Sequence, residues 1–420
     1  MIGGLLMIVR RSLRQHALST FVTVLSAALG SGLVMAVFVV AEQSERAFAG
    51  GPVGFDAVLG ARGSQLQLVL NTVFHLETSP GNIPWSLYQE VKSDRRVDLA
   101  IPYAVGDNYR GYRIVGTTQE MFTEFEYQEG EKFELRPGGE IFEPLLADAV
   151  IGSTVAADLG LRVGSEIQPF HGLQFDESLQ HNEVYRVVGV LKPTNSPSDR
   201  VVWIPIEGIF RMGGHVLRGT GEVYQAESGV AIPDEHKEVS AVMLKFKGGN
   251  STGMYFDNLI NRQGKVATLA WPIGSSMAEL FDKLGWVNRI LSMVAYLVVA
   301  VAAGSILASL YNTMNERRRE FAILRALGAR RSTVFSAIVL EAGTIAGLGA
   351  LLGFAFYFAV LAAAAGIVRE QTGVVIEQFA WHPVLLWTPL GMLLLGALAG
   401  CLPAYKAYAT DVASNLLPAS

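Results

Sequence analysis

The sequence from Ile290 to Arg331 reads ILSMVAYLVVAVAAGSILASLYNTMNERRREFAILRALGARR. Its first part, Ile290 to Asn315, carries no charged residue, whereas six arginines occupy the part that follows. An uncharged run of this length can cross a hydrocarbon core about 30 Å thick, which takes about 20 apolar residues. The stretch therefore predicts a transmembrane helix that is followed by a strongly basic segment.

Three further apolar runs, at 21–41, 342–368 and 383–404, are also long enough to cross a bilayer. Charged residues make up only 17% of the 420 residues, compared with about 25% in soluble domains. A mean hydropathy of +0.33 is nevertheless too low for a chain that lies wholly in the membrane. These runs have two alternative interpretations: buried helices of a large soluble protein, and, for the first run, a cleaved signal peptide. The uncharged core of that run exceeds the roughly 7 to 15 residues of a signal peptide.

The distribution of basic residues predicts the orientation of the four runs. Arginines precede the first run and fill the segment between the second and third, and Lys406 follows the fourth. Short loops rich in lysine and arginine stay in the cytoplasm. Both termini are therefore expected in the cytoplasm, and residues 43–288 outside it. That outer segment carries 21 basic and 31 acidic residues, a net charge of −10 that argues against nucleic-acid binding.

The predicted fold is a polytopic α-helical membrane protein with four transmembrane helices and a large α+β extracytoplasmic domain between helices 1 and 2. Strands are expected where apolar runs are bounded by turn residues, as at 55–59, 112–115, 184–191, 201–206 and 239–246, and helices at 84–91, 119–125 and 153–159. The predicted parts are a cytoplasmic amphipathic N-terminus (1–20), transmembrane helix 1 (21–41), the outer domain (43–286), helix 2 (287–315), a cytoplasmic extension and coupling segment (316–341), helix 3 (342–368), a short outer loop (369–382), helix 4 (383–405) and a cytoplasmic tail (406–420).

Four histidines of the outer domain, His171, His181, His215 and His236, are weak candidates for metal binding. Acidic residues lie near them, at Asp176, Glu177, Asp234 and Glu235. No pair such as H-x-H or H-x-x-x-H occurs among them, however, and scattered surface histidines are the alternative. The sequence therefore predicts no metal site.

No motif of catalysis or nucleotide binding is found. The sequence contains no G-x-x-x-x-G-K-[ST], G-x-G-x-x-G, H-E-x-x-H or G-x-S-x-G pattern. A single cysteine, Cys401, excludes a disulfide within the chain. The protein is expected to be non-catalytic and to bind no cofactor directly.

The basic segment after the second run has a helical pattern of its own. Phe321, Leu324 and Leu327 share one side of a helix, most arginines lie on the other, and Gly328 marks its end. Such a helix could dock into a groove of a cytosolic partner. The alternative is a basic loop that only sets the topology, but topology does not require the apolar residues.

Glu316 to Ala329, ERRREFAILRALGA, resembles the E-R-x-x-E-[IF]-x-[IL]-L-[RK]-A-[LIM]-G-A signature of MacB/FtsX-type ABC transporter permeases. The outer stretches DAVIGS (148–153), LGLRVGS (159–165) and VVGVL (187–191) are similar to the extracytoplasmic core of that family. LPAYKA (402–407) resembles the end of its fourth helix. The resemblance extends over the whole chain, without the fused ATPase domain of MacB itself.

The resemblance implies a membrane subunit that couples ATP hydrolysis by a separate cytosolic ABC ATPase to movements of a periplasmic domain, which moves or extracts a substrate outside the inner membrane. ATP and Mg²⁺ would then bind the partner ATPase. A second copy or a related permease is implied, as is a periplasmic adaptor, lipoprotein or other partner. The alternative is an FtsX-like regulatory scaffold for a cell-wall hydrolase or a signalling partner. The residues expected to couple to the ATPase are Glu316, Arg317, Glu320, Phe321, Leu324, Arg325, Leu327, Gly328, Arg330 and Arg331.

The four apolar runs contain small and hydroxyl residues but few charges. Gly30, Ser31, Gly304, Gly343 and Gly349 are examples. Small residues let transmembrane helices approach one another closely. We therefore expect these positions to serve helix packing, and substrate contact to lie in the outer domain.

Overall fold

A computed structural model describes residues 2–49, 54–171, 180–212, 232–373, 375–376 and 379–409. These residues form two compact units. The described residues within 1–44, 284–366 and 377–420 belong to one unit, and those within 45–283 and 367–376 belong to the other. We call them the membrane unit and the outer domain and describe each by itself.

The described residues form twelve α-helices. They are α1 Ile2–Gln15, α2 Ala17–Ala49, α3 Gln65–Thr72, α4 Trp85–Lys92, α5 Glu120–Thr123, α6 Ser153–Leu159, α7 Ile206–Arg211, α8 Asn250–Asp257, α9 Ile273–Glu316, α10 Arg318–Ala326, α11 Arg331–Thr372 and α12 Val384–Ala409. Short 3-10 helices occupy Pro197–Arg200 and Asp234–His236, and a π-helix occupies Asn258–Gln263.

The outer domain contains all fourteen described strands. They are β1 Ala57–Ala61, β2 Ile83–Pro84, β3 Val97–Tyr109, β4 Tyr112–Thr117, β5 Glu126–Gln128, β6 Glu131–Lys132, β7 Asp148–Ile151, β8 Glu166–Ile167, β9 Phe170–His171, β10 Tyr185–Val190, β11 Val201–Pro205, β12 Glu238–Val239, β13 Ala241–Phe246 and β14 Ala267–Ala270.

One mixed sheet organises the outer domain. Its strands follow the order β14-β1-β13-β3-β4-β11-β7-β10-β8, and β9 pairs separately with β3. The pairs β4–β11 and β7–β10 are parallel, whereas the other pairs are antiparallel. β2–β12 and β5–β6 form two small separate sheets. The α+β class predicted for this domain is confirmed.

Both faces of the large sheet are covered by hydrophobic cores. Successive side chains of a strand point to opposite faces. On β11, Val202 and Ile204 belong to one core, and Val201 and Trp203 belong to the other. Helices α4 and α7 complete the first core, and α3 and α5 complete the second. This double coverage explains why the strand sequences are continuously apolar and do not alternate.

The membrane unit is built from helices that are long and apolar. Four segments of the described chain could cross a bilayer by length and composition: Ala17–Arg46, Ile273–Glu316, Arg331–Thr372 and Val384–Lys406. Large side chains such as Leu351, Leu394 and Leu398 are exposed along them. Exposed leucines on helices of this length are suited to contact with lipid. The prediction of four transmembrane helices is confirmed.

Small residues bring α2, α11 and α12 together. A Cβ atom on Gly349 would lie 2.4 Å from Cβ of Ala27, and one on Gly353 would lie 2.0 Å from Oγ of Ser31. A Cβ on Gly396 would meet Cβ of Ala346 at 2.3 Å. Contacts this close exclude any larger residue, so the glycines set the distance between these helices.

The predicted packing role holds for only some of the small residues in the spans. Gly30 lies against Val299, where a Cβ would be 3.4 Å from its Cα. A Cβ on Gly304 or Gly343, in contrast, would have nothing within 4 Å. The prediction was therefore wrong for these two glycines among the described residues, because no neighbouring helix comes close enough there to require a glycine.

Candidate functional site

The predicted coupling segment, 316–341, contains the short helix α10 and the first residues of the long helix α11. Helix α9 ends at Glu316, and α10 begins at Arg318. Arg317, between them, departs from helical geometry with φ −96° and ψ 8°. Its N–H still donates to the carbonyl of Thr313 at 3.0 Å, and its carbonyl accepts from the N–H of Phe321 at 3.0 Å. The chain therefore changes direction at Arg317 without losing the hydrogen bonds of its backbone.

The side chain of Arg317 is buried in a polar network. Its Nη1 donates to Oγ of Ser12 at 2.6 Å and lies 3.7 Å from Oε2 of Glu341. The Ser12 hydroxyl in turn donates to Oε1 of Glu341 at 2.5 Å, and Arg317 Nε donates to Oε2 of Glu320 at 3.0 Å. Buried charges require partners of this kind. The network fixes the start of α10 to α1 and α11.

Phe321 anchors α10 by apolar contact. It is buried against Val334, Ile338 and Ala404, and Leu324 packs partly against the same cluster. The Arg317 guanidinium lies 4.9 Å from the centre of the Phe321 ring, within the range of a cation–π contact. This part of the predicted docking face is therefore covered by the chain itself.

Helix α10 ends in a glycine cap. The N–H of Ala329 donates to the carbonyl of Leu324 at 3.0 Å, and the N–H of Gly328 donates to that of Arg325 at 3.1 Å. This pair of bonds is the Schellman motif, which places a left-handed residue just after the helix. Gly328 has φ +98°, which glycine adopts without steric cost. The predicted end of the helix at Gly328 is confirmed.

The exposed side of the segment combines apolar and basic residues. Leu327 is 81% exposed, and Ile323 is exposed on the same helix. Arg319, Arg330 and Arg331 are also exposed. A leucine this exposed on a rigid, capped helix can enter an apolar pocket of a partner, and the arginines can pair with acidic residues around it.

The other predicted coupling residues differ in exposure and in partners. Glu316 is exposed and lies 3.5 Å from Nδ1 of His16. Glu320 is half-exposed beside Arg317, and Arg325 is partly buried. The Arg331 guanidinium lies 5.6 Å from the centre of the Tyr408 ring.

Two of the four predicted histidines meet in the outer domain. Nδ1 of His171 and Nε2 of His181 lie 3.2 Å and 3.1 Å from the same atom, Oδ1 of Asp107. Hydrogen bonding to Asp107 raises the pKa of both histidines. His236 lies apart from them, 3.7 Å from Glu235. His215 lies outside the described residues, as do Asp176 and Glu177.

Three partner residues were not predicted to belong to a site: Ser12, Glu341 and Asp107. Glu341 gave a signal in the sequence, because it is an acidic residue at the edge of the third apolar run, where charge is costly. Ser12 and Asp107 gave none. They are ordinary polar residues that reach their partners only through the tertiary fold.

Comparison with known proteins assigns both units to described families. The family model of the MacB-like periplasmic core domain matches residues 20–257, more than half of the chain. The model of the FtsX-like permease C-terminal domain matches residues 292–412. The second match contains the complete α10 segment.

Individual relatives are more distant. The macrolide export ATP-binding/permease protein MacB of Nitrobacter winogradskyi is 26% identical over 149 residues, 36% of this chain but only 22% of that protein. The periplasmic region of MacB from Actinobacillus actinomycetemcomitans has a TM-score of 0.34 at 10% identity, covering 55% of this chain and 94% of that one.

The extracellular domain of the noncanonic ABC-type transporter YknZ from Gram-positive bacteria has a TM-score of 0.29 at 15% identity, covering 50% and 97%. These TM-scores are too low to support a structural argument. The family assignment depends on the two family models, of which one covers most of the outer domain and the other most of the membrane unit. The chain is therefore a multi-pass inner-membrane protein that belongs to the MacB/FtsX-type family of ABC transporter permeases.

Proposed function

We propose that this permease couples ATP hydrolysis by a separate cytosolic ABC ATPase to movements of its outer domain, and that these movements carry or extract a substrate on the outer side of the membrane. ATP and Mg²⁺ bind the ATPase and not this chain. The complex contains a second copy of the chain or a related permease, and both termini lie in the cytoplasm.

The observation that carries this proposal is the construction of α10. The helix is fastened on one side by Arg317 and Phe321, while Leu327 on the other side is 81% exposed. A force applied to Leu327 would therefore act on α9 and α11, to which the helix is fixed. Helix α9 has 44 residues. With a rise of about 1.5 Å per residue, the helix is about twice as long as the hydrocarbon core is thick.

The hydroxyl groups of the spans support handling of substrate outside the membrane. Thr23, Ser26 and Thr344 donate to the carbonyls four residues earlier in their own helices, Ser19, Val22 and Leu340, at 2.7 to 3.0 Å. A hydroxyl that donates to a carbonyl of its own helix already has a hydrogen-bond partner. Such hydroxyls therefore do not require a hydrophilic path through the membrane. The acidic outer domain is the better place for contact with a substrate or a periplasmic partner.

Site-specific photo-cross-linking tests the docking role of α10. A photoreactive amino acid is placed at Leu327 in cells that produce the full chain, and at Leu145 as a control. Leu145 belongs to the outer domain and is similarly exposed, at 70%. We expect position 327 to capture a protein that carries a G-x-x-x-x-G-K-[ST] loop, and position 145 not to capture it. Capture at both positions or at neither would contradict the proposal.

A further inference from the structure

Asp107, His171 and His181 form a compact cluster of metal-ligating side chains in the outer domain. One oxygen of the carboxylate and one nitrogen of each imidazole lie within 4.8 Å of one another. Asp107 Oδ1 is 3.2 Å from His171 Nδ1 and 3.1 Å from His181 Nε2. The two imidazole rings are nearly perpendicular, with their centres 6.3 Å apart. The cluster thus presents three donor atoms to one small volume.

The backbone holds the three residues in register. Asp107 on β3 lies directly opposite His171 on β9 in an antiparallel pair. The N–H of His181 donates to the carbonyl of Pro169 at 3.0 Å, and its carbonyl accepts from Nε2 of Gln168 at 2.7 Å. Directly opposite residues of an antiparallel pair have Cβ atoms about 4.5 to 5.5 Å apart. Main-chain pairing therefore sets the positions of the donor atoms before any ligand binds.

Burial differs between the three side chains in a way that suits a binding site. The Asp107 side chain is fully buried, and His181 is 8% exposed. His171 is 55% exposed and so gives solvent access to the cluster. A buried carboxylate needs cationic or hydrogen-bonding partners.

The donor set identifies the class of ion. Two imidazole nitrogens with one carboxylate oxygen are typical ligands of zinc and related divalent transition metals, whereas magnesium and calcium prefer oxygen ligands alone. A tetrahedral zinc ion with bonds of about 2.0 to 2.1 Å separates its ligands by about 3.3 Å. The separations of 3.2 Å and 3.1 Å from Asp107 are already close to this value.

We propose that Asp107, His171 and His181 together bind a zinc-class divalent ion. Three protein ligands of this kind are the number that zinc sites with one further, non-protein ligand use. The proposal concerns metal binding by the outer domain, and it holds whether or not α10 docks an ATPase.

The test uses the full chain, purified in detergent with a tag that contains no histidine and stripped with a chelator. Zinc binding is measured by calorimetric titration, and Co²⁺ is added in parallel because its visible absorption reports the ligands. The variants are His171→Ala and Asp107→Asn, and His236→Ala is the matched control. His236 belongs to the same domain but lies outside the cluster.

We expect one zinc ion per wild-type chain and unchanged binding by His236→Ala. His171→Ala should weaken binding at least about tenfold and remove the Co²⁺ spectrum, and Asp107→Asn should do the same where it folds. Because His171 is exposed, its replacement leaves the fold intact and keeps the test decisive. A wild-type chain that takes up no zinc, or a His171→Ala variant that binds as tightly as the wild type, would overturn the proposal and leave the cluster a structural network of hydrogen bonds.

Discussion

The hydroxyl of Ser12 donates a hydrogen bond to Oε1 of Glu341 at 2.5 Å, although 329 positions separate the two residues in the sequence. Arg317 completes this contact by donating to the same hydroxyl at 2.6 Å. The three residues belong to the membrane unit, and all are buried. The start of α10 is thereby attached to α1 and not only to the long helices on either side of it.

Replacing Arg317 with Met should strongly destabilise the membrane unit. The change leaves Glu341 buried beside Ser12 without its cationic partner, and breaking a buried ion pair costs about 3 to 5 kcal/mol. The midpoint of thermal unfolding in detergent should fall clearly below that of the control variant Arg319→Met, which removes an exposed arginine of α10. The double variant Arg317→Met, Glu341→Gln should recover much of the loss, because it removes both charges. Equal midpoints for the two single variants would contradict the role of the network.

Replacing Gly328 with Ala should also destabilise the coupling segment, but through the backbone alone. A Cβ at this position meets no atom within 4 Å, so no clash arises. The left-handed conformation, φ +98°, costs about 1 to 2 kcal/mol for a residue that has a Cβ. Gly304→Ala is the matched control, since Gly304 lies inside α9 with open space around it, and there alanine should gain about 0.5 to 1 kcal/mol. Unfolding midpoints that shift in the same direction would argue against this explanation.

Local structure was well predicted where one short pattern determines it. The apolar run at 201–206 predicted a strand, and β11 occupies Val201–Pro205. Gly328 was expected to end a helix, and it caps α10. The order of the strands was not predictable, because pairing such as that of β11 with β4 joins segments far apart in the sequence. No local pattern encodes that choice.

The same limit applies to the two sites. The apolar pattern at 321–327 predicted the helix α10, but it could not show that Phe321 packs inside the chain while Leu327 stays exposed. That division depends on where α11 and α12 lie. The spacing of the histidines gave no metal motif, because the third donor, Asp107, is 64 positions from His171 and 74 from His181.

His75 should make the outer domain less stable as the pH falls. Burial, with a smaller effect from the charge of Arg113, lowers its pKa from 6.5 to about 3. Between these values the unfolded chain binds a proton that the folded chain does not, so stability is full above pH 6.5 and decreases toward pH 3. One such proton changes the free energy of unfolding by at most about 1.4 kcal/mol per pH unit.

His75→Asn should flatten this pH dependence, because asparagine tolerates the positive φ of 56° at this position and does not titrate. Chemical unfolding of the full chain, followed from pH 7 to pH 4, measures the slope. The control is His236→Asn, which shows whether replacing another histidine of the outer domain changes the slope in the same way. An unchanged slope in His75→Asn would contradict the assignment.

Reporter fusions test the proposed orientation. Gly130 lies in the outer domain between β5 and β6, and Gly328 lies in the coupling segment. A reporter that is active only outside the cytoplasm should be active when fused after Gly130 and silent when fused after Gly328, because basic segments stay inside. A reporter that is active only in the cytoplasm should give the opposite result at both positions. The reverse pattern would contradict the orientation.

Replacing Leu327 with Glu should uncouple the permease from its ATPase while leaving the permease itself intact. Leu327 is 81% exposed, so the carboxylate is hydrated in the isolated chain and costs little stability. In a complex, the same carboxylate would be forced into an apolar pocket, where an unpaired charge costs several kcal/mol. Binding of the ATPase captured by cross-linking should therefore fall at least about tenfold, as measured by co-purification from membranes.

The control is Leu145→Glu, which adds the same charge at an exposed leucine of the outer domain. It should bind the ATPase like the wild type, and both variants should reach the membrane in equal amounts. Leu324→Glu is a useful third variant. Leu324 packs partly against the cluster around Phe321. The Leu324→Glu variant should therefore lower the midpoint of thermal unfolding as well as the binding of the ATPase. If Leu327→Glu retains the ATPase at the wild-type level, the exposed side of α10 is not the docking surface, and its arginines would serve only to set the topology of the chain.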